Sequence, residues 1–227
     1  MNVLVIAAHP DDEILGCGGA MAKHALAGDK VQPVILSEGA TSRDSHRNRD
    51  FRAAELKKLK SAAEAASEEL GVCPPQFHDF PDNRMDGMER LDVTKAIESD
   101  ILKFKPDIIY SHHAGDVNID HRVIHEAIIP ATRPLPDSSI HTLLFFEVAS
   151  STEWQPAGSA PVFSPNWFVD ISKTLDLKLR ALECYSDEMR NWPHPRSIRA
   201  VEHLARWRGA SIGTEAAEAF VLGRNLS

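Results

Sequence analysis

Two runs of imidazole and carboxylate side chains stand out in this chain. The first is His9-Pro10-Asp11-Asp12-Glu13, and the second spans His112-His113-Ala114-Gly115-Asp116-Val117-Asn118-Ile119-Asp120-His121. Imidazole and carboxylate together are the ligands of a catalytic zinc, which typically takes three protein groups and keeps one position open to water. His9 and Asp12 from the first run, with His121 from the second, would make such an open set. Asp11 stands beside a ligand and is not needed as one, so it is placed to take a proton from water at the metal.

The same residues admit plainer readings. An Asp-Asp-Glu triplet ahead of a helix can simply cap it and complement its dipole. Two His/Asp clusters at two strand ends of one sheet favour the metal instead. A zincin-like pair of His121 and His125 at i, i+4 lacks its glutamate, because Arg122 stands where the base belongs. His125 therefore reads as a helix-surface or supporting residue. Gly16-x-Gly18 has the look of a dinucleotide fingerprint, but Met21 replaces the third glycine and the run starts too far beyond the strand. Close packing of a helix against a sheet explains these glycines better.

The elements that must position these groups follow from hydrophobic patterning. Val3 to Ala8 is a short apolar run without alternation, suited to a strand buried on both faces. The pattern continues as a helix over 14–27, a strand over 30–36, a long helix over 45–70 and a brief strand over 76–80. Pro33 marks an edge or an irregularity in the second strand. A helix over 91–104, a strand over 106–111, a helix over 120–131 and a strand over 141–148 come next. Residues 150–166 form a Ser/Pro/Gly-rich loop, read as a lid over the site. A strand over 168–171, helices over 174–190 and 197–208 and a small element around 215–222 complete the chain. Alternating strands and helices predict a doubly wound parallel sheet, with ligands bound beyond the carboxyl ends of its strands. Both chemical runs fall at such ends.

Composition narrows the function classes. A chain of 227 residues, 43% hydrophobic, is expected to form one α/β domain over 1–227 with a substantial core. A net charge of −8 argues against a nucleic-acid binder. Cys17, Cys73 and Cys184 form no CxxC pair and no disulfide framework, which suits a reducing compartment. The apolar start is too short and lacks the basic region of a signal peptide, and no segment approaches the ~20 apolar residues of a membrane span. A cytoplasmic protein with no membrane partner is expected, and homo-oligomerisation is left open.

One local feature departs from the acidic average. Arg43, Arg47, Arg49 and Arg52 cluster after the second strand. A solvated helix face paired with Asp44, Asp50 and Glu55 accounts for them. With His194, Arg196 and Arg199 they can also recognise a phosphate-bearing substrate. Trp154, Phe163 and Trp167 are candidates for stacking on a sugar face, although singly such residues are more often core.

Ala8-His9-Pro10-Asp11-Asp12-Glu13 followed by Gly16-Cys17-Gly18-Gly19 resembles the signature of the PIG-L/LmbE-like deacetylases. The resemblance continues through Arg52-Ala53-Ala54-Glu55, Phe80-Pro81-Asp82-Asn83-Arg84, Asp120-His121-Arg122 and Ala217-Glu218-Ala219-Phe220. It implies a Rossmann-like three-layer α/β sandwich with a mostly parallel sheet. It further implies His9, Asp12 and His121 as zinc ligands, Asp11 as general base and Asp120 as a support for a neighbouring imidazole. Arg52 would contact substrate or the tetrahedral oxyanion. Arg43 and His113 are added as substrate contacts. Many members carry a histidine three residues before the second metal histidine, where this chain has Asn118. An amide can donate to an oxyanion but cannot supply a proton, so Asp11 returns its proton to the leaving amine, unless His112 or His113 takes part.

The resulting expectation is Zn2+-dependent hydrolysis of the N-acetyl group of an amino sugar or its conjugate, nucleotide-linked or phosphorylated forms included. Another divalent metal is allowed. The rival readings are an amidase acting on a non-sugar amide or antibiotic intermediate, a non-catalytic nucleotide-binding module, and a structural metal protein.

Overall fold

The computed structural model describes residues 1–226. Val3, Leu4, Val5, Ile6 and Ala7 are all 0% exposed, because a strand apolar on both faces needs cover on both. They form β1 (Asn2–Ala7), which is followed by α1 (Asp12–Leu26), β2 (Lys30–Ser37), α2 (Ala53–Leu70), β3 (Gln76–Phe80) and α3 (Arg90–Phe104). Then come β4 (Ile108–His112), α4 (Ile119–Ala131), β5 (Thr142–Phe146), β6 (Trp167–Asp170), α5 (Leu175–Cys184), α6 (Ile198–Ala210) and β7 (Ala217–Asn225). The seven strands lie in the order β3-β2-β1-β4-β5-β7-β6. The first five are parallel, and β7 runs antiparallel to both β5 and β6.

Alternate residues of β1 feed two separate cores, as the period of a strand dictates. Val3 and Val5 pack with Met21 of α1, Ala63 of α2 and Leu182 of α5. Leu4 and Ile6 pack with Val93 and Ile97 of α3 and Ile124 of α4. The result is the expected three-layer α/β sandwich with a mostly parallel sheet.

β2 and β4 flank β1 on opposite sides, so the strand order reverses between β1 and β4. A crevice opens at such a switch point beyond the strand ends. The turns that follow β1 and β4 meet there, and they carry His9–Glu13 and His113–Asn118.

Four sequence expectations need adjustment. Pro33 lies on an inner strand, not an edge, and pairs with Val5 of β1. Pairing with β3 begins only at Val34, so the missing N–H costs no ladder bond on that side. The long helix begins at Ala53, not near residue 45. Residues 44–52 are irregular because their arginines reach away: Arg47 to Glu38, and Arg49 to Glu38 and Asp79. Helix α5 ends at Cys184, short of the expected residue 190. The small C-terminal element is a nine-residue strand inserted into the sheet. No helix among the described residues is long and apolar enough to cross a membrane.

Candidate active site

The turn after β1 is held in an unusual backbone state. Asp11 adopts φ 111°, which is costly for a residue with a Cβ and recurs at functional sites. Its N–H donates to Glu13 Oε2 at 3.1 Å, and Glu13 Oε1 accepts from the Tyr185 hydroxyl at 2.5 Å. Glu13 is thus a buried brace of the turn. Burial pushes its carboxyl up to about 8, against the pull of the Tyr185 hydrogen bond.

The bend brings three ligand atoms together. Asp12 Oδ2 lies 3.1 Å from His9 Nδ1 and 3.1 Å from His121 Nε2. His9, Asp12 and His121 each offer a ligand atom within 4.8 Å of the others. Asp12 is fully buried, and its Oδ1 has no hydrogen-bond partner. A buried carboxylate oxygen without a partner is expensive, and a bound cation removes that expense. The donor set, two imidazoles and a carboxylate, suits zinc or a similar divalent ion.

A second set, His9 with Asp82 and Asp120, is equally tight. It serves a different end. Asp120 Oδ2 accepts from Asn83 N at 2.7 Å and its Oδ1 from Met85 N at 3.0 Å, so both oxygens are committed. Asp120 Oδ2 also lies 3.0 Å from His9 Nε2, and Asp82 Oδ1 lies 3.3 Å away. This carboxylate pair lies against His9 Nε2 and would leave Nδ1 free to ligate a cation. Asp116 does the same for His121: its Oδ2 is 3.2 Å from His121 Nδ1. Asp116 is in turn held by Ser151 Oγ, Thr152 Oγ1 and Asn118 N.

His112 lies flat beneath His121, with centroids 3.9 Å apart and planes 21° apart. Its Nε2 accepts the Ala8 N–H at 2.8 Å. Burial and the neighbouring His121 hold its pKa well below the ordinary imidazole value. With Nε2 accepting from Ala8, the ring forms the surface on which His121 stacks. His125 bonds to the His112 carbonyl through Nδ1 at 3.0 Å, which makes it a support.

Asp11 faces a cavity of about 140 Å³ lined also by His9, Arg43, Asn118, Glu188 and Arg196. Arg196 Nη1 donates to Asp11 Oδ2 at 2.8 Å, while Oδ1 is buried without a partner. Burial pushes the Asp11 carboxyl up to about 7, with Arg196 opposing and Asp12 adding to the rise. Asn118 caps α4 by accepting from Asp120 N at 2.9 Å, and its amide donates to Asn83 Oδ1.

The fold therefore gathers His9, Asp11, Asp12, Asn118, Asp120 and His121 in one place. Arg43 reaches the cavity wall, but its guanidinium is tied to Glu188 and Glu55. Arg52 is not on that wall; it pairs with Asp44 and Glu55. His113 turns toward the Pro161 carbonyl and the Phe163 ring. Trp154, Phe163 and Trp167 likewise do not line the cavity, and neither does the rest of the 150–166 loop. Larger grooves of about 250 and 260 Å³ exist beside that loop, but they hold none of the His/Asp cluster. Sequence reasoning gave no role to Asp116, Asp82, Glu188 or Tyr185, and it did not link Arg196 to Asp11. Asp116 was within reach, since a carboxylate five positions before His121 sits inside the second run. The partnership of Asp11 with Arg196, 185 positions away, has no local signal.

The match to known proteins agrees with this geometry. Residues 4–132 match the family model PIG-L, described as GlcNAc-PI de-N-acetylase. The chain belongs to the PIG-L family and is a hydrolase of its deacetylase class, acting on carbon–nitrogen amide bonds. It is 30% identical over 142 residues to the uncharacterized deacetylase YaiS of Escherichia coli K12, covering 60% of this chain and 70% of that one. It is 29% identical over 202 residues to diacetylchitobiose deacetylase of Thermococcus kodakarensis, covering 82% and 70%. The crystal structure of the 4-carboxy-2-hydroxymuconate hydratase of Pseudomonas putida KT2440 superposes with a TM-score of 0.77 at 24% identity, covering 100% and 97%. That last likeness concerns the fold alone.

Proposed function

We propose that this protein removes the N-acetyl group of a neutral amino sugar or amino-sugar conjugate, with Zn2+ held by His9, Asp12 and His121. The observation that carries the reading is the partnerless, buried Asp11 Oδ1 beside that three-ligand set. A divalent zinc ion there supplies Lewis acidity, polarising a carbonyl and acidifying water toward neutral pH. Asp11 Oδ1 takes the proton of the attacking water and returns it to the departing nitrogen, which then leaves as the amine with acetate as co-product. Asn118, fixed by its cap on α4 and its bond to Asn83, donates from the cavity wall toward the developing oxyanion. Arg196 holds Asp11 through Oδ2 and leaves Oδ1 without a protein partner. Arg43 and Glu188 line the side where sugar hydroxyls sit, and a paired arginine and carboxylate suit hydroxyl recognition. Arg52, turned to Asp44 and Glu55, has no part in this chemistry.

A neutral substrate follows from charge pairing. Each arginine considered for phosphate binding already has a partner: Arg43 with Glu188, Arg47 with Glu38, Arg49 with Asp79, Arg52 with Asp44 and Arg196 with Asp11. Arg199 stacks on Trp192 and bonds His203. The same pairing disfavours hydration of an unsaturated tricarboxylate, whose carboxylates need free cations. Acetate release should be measured for N-acetylglucosamine, diacetylchitobiose, their phosphorylated and nucleotide-linked forms and a non-sugar acetamide, with zinc content determined alongside. Acetate from the neutral sugars supports the reading, and release only from the phosphorylated or non-sugar compounds overturns the substrate class. Zinc-loaded protein that frees acetate from none of them overturns the activity.

A further inference from the structure

Helix α1, which begins with Asp12, is not continuous. Cys17 leaves the helical conformation at φ −150°, ψ 24°, dividing the helix into an Asp12–Gly16 turn and a longer second part. A break of this kind strands carbonyls of the first part and N–H groups of the second. Here they are buried beneath other elements and beyond the reach of water, so they need protein partners.

Two residues far along the chain supply those partners. Glu218 of β7 accepts from Gly19 N through Oε1 at 2.9 Å and from Ala20 N through Oε2 at 2.7 Å. Lys178 of α5 donates from Nζ to the Leu15 carbonyl at 2.9 Å and to Glu218 Oε1 at 2.5 Å. Thr174 Oγ1 adds a bond to the Gly19 carbonyl at 2.8 Å. Lys178 is 3% and Glu218 5% exposed. The glycines let the broken helix press close: a Cβ at Gly16 would fall 2.4 Å from the Phe146 ring, and one at Gly19 2.7 Å from Ile171.

A buried ion pair is a weak source of stability, since desolvating two charges costs about as much as their attraction returns. Its best-attested use is to specify an arrangement. We propose that Lys178 and Glu218 are positioning residues of the metal site. They splint the break in α1 and so set where Asp12 stands relative to His121. Lys178 grips the Leu15 carbonyl of the part bearing Asp12 and Glu13, while Glu218 caps the second part through the Gly19 and Ala20 N–H groups. The glycine run and the Ala217-Glu218-Ala219-Phe220 segment thus belong to one device. This inference rests on His9, Asp12 and His121 being metal ligands.

The test uses full-length protein stripped of metal. Zinc affinity is read by chelator competition, and ligand geometry by the visible absorption of the cobalt(II)-loaded form. Glu218→Gln and Lys178→Met are expected to weaken zinc binding about tenfold or more and to shift the cobalt bands, as loss of a supporting contact does. Ile97→Ala, a core truncation on the other side of the sheet, should lower the Tm while leaving both readouts unchanged. Thr174→Val removes only one strut and keeps the test decisive should the charged variants not fold; it should weaken zinc binding by a smaller factor. Wild-type zinc affinity and an unshifted cobalt spectrum in the folded variants would overturn the inference, as would equal weakening by Ile97→Ala. Wild-type protein that binds no zinc or cobalt would sink the metal reading itself, a result distinguishable from either.

Discussion

Arg196 Nη1 lies 2.8 Å from Asp11 Oδ2, and its Nε lies 2.8 Å from Ser150 Oγ. The guanidinium therefore bridges the turn after β1 and the loop after β5, closing one side of the cavity. It engages one oxygen of Asp11 and leaves the other without a partner. Shortening this side chain should loosen Asp11 while sparing the metal. Arg196→Ala is expected to lower kcat by about tenfold to a hundredfold, the usual effect of misplacing a catalytic group by ~1 Å. Zinc stoichiometry should stay at the wild-type value. An unchanged kcat would show that Asp11 needs no such restraint.

Asp11 itself is assigned the proton and not the metal. Asp11→Asn should retain zinc and lose turnover by about 10²- to 10⁴-fold, the range of a lost general base. Elemental analysis beside steady-state kinetics separates the two effects. Wild-type turnover in this variant would remove Asp11 from the mechanism.

Asp116 reaches the site through the His121 ring and the Asn118 N–H. Asp116→Asn should weaken zinc binding by about 10- to 100-fold, as loss of a carboxylate behind a ligating imidazole does. Its Ser151 and Thr152 contacts allow an amide to fit. The measurement is zinc affinity by chelator competition, and a change in KM alone would contradict the assignment.

Arg52 offers a direct check on placement. Its ion pairs with Asp44 and Glu55 are screened by solvent and contribute little to the fold. Because Arg52 lies off the cavity wall, Arg52→Ala should shift kcat/KM by no more than about fivefold. A loss of several hundredfold would mean that Arg52 swings into the cavity with substrate bound.

Glu38 gives a pH signature of the fold, apart from the His/Asp cluster. Burial opposes its ionisation, but hydrogen bonds from Arg47 and Thr41 and the charge of Arg49 hold its carboxyl below the usual value. A depressed folded-state pKa contributes stability above the unfolded value of ~4.3, and that contribution is lost as pH falls through the folded value. Glu38→Gln should lower stability at neutral pH and flatten the acid limb of the stability curve. Urea midpoints at neutral and at acidic pH would show it, and parallel curves for both proteins would refute it.

The two chemical runs, their places after β1 and β4 and most element boundaries were legible in the residues. Val3–Ala8 reads as a doubly covered strand, and His9–Glu13 and Asp120–His121 carry their chemistry in adjacent letters. Such signals are local, depending on side-chain period and on neighbours in the chain. Asn118 was legible as a departure from the family pattern, but its cap on α4 and its bond to Asn83 needed coordinates.

What only the tertiary structure decided lies between residues far apart. The arginines of 43–52, read as a solvated face paired with nearby acids or as a phosphate contact, reach instead to Glu38, Asp79 and Glu188 as well. The antiparallel insertion of β7 carries Glu218 to the break in α1, and the segment before α6 carries Arg196 to Asp11. Nothing in the spacing of these residues encodes the pairing, because burial and ion pairing depend on distance in space. The sequence by itself determined which groups can do the chemistry; packing across the sheet decided which of them are free to do it.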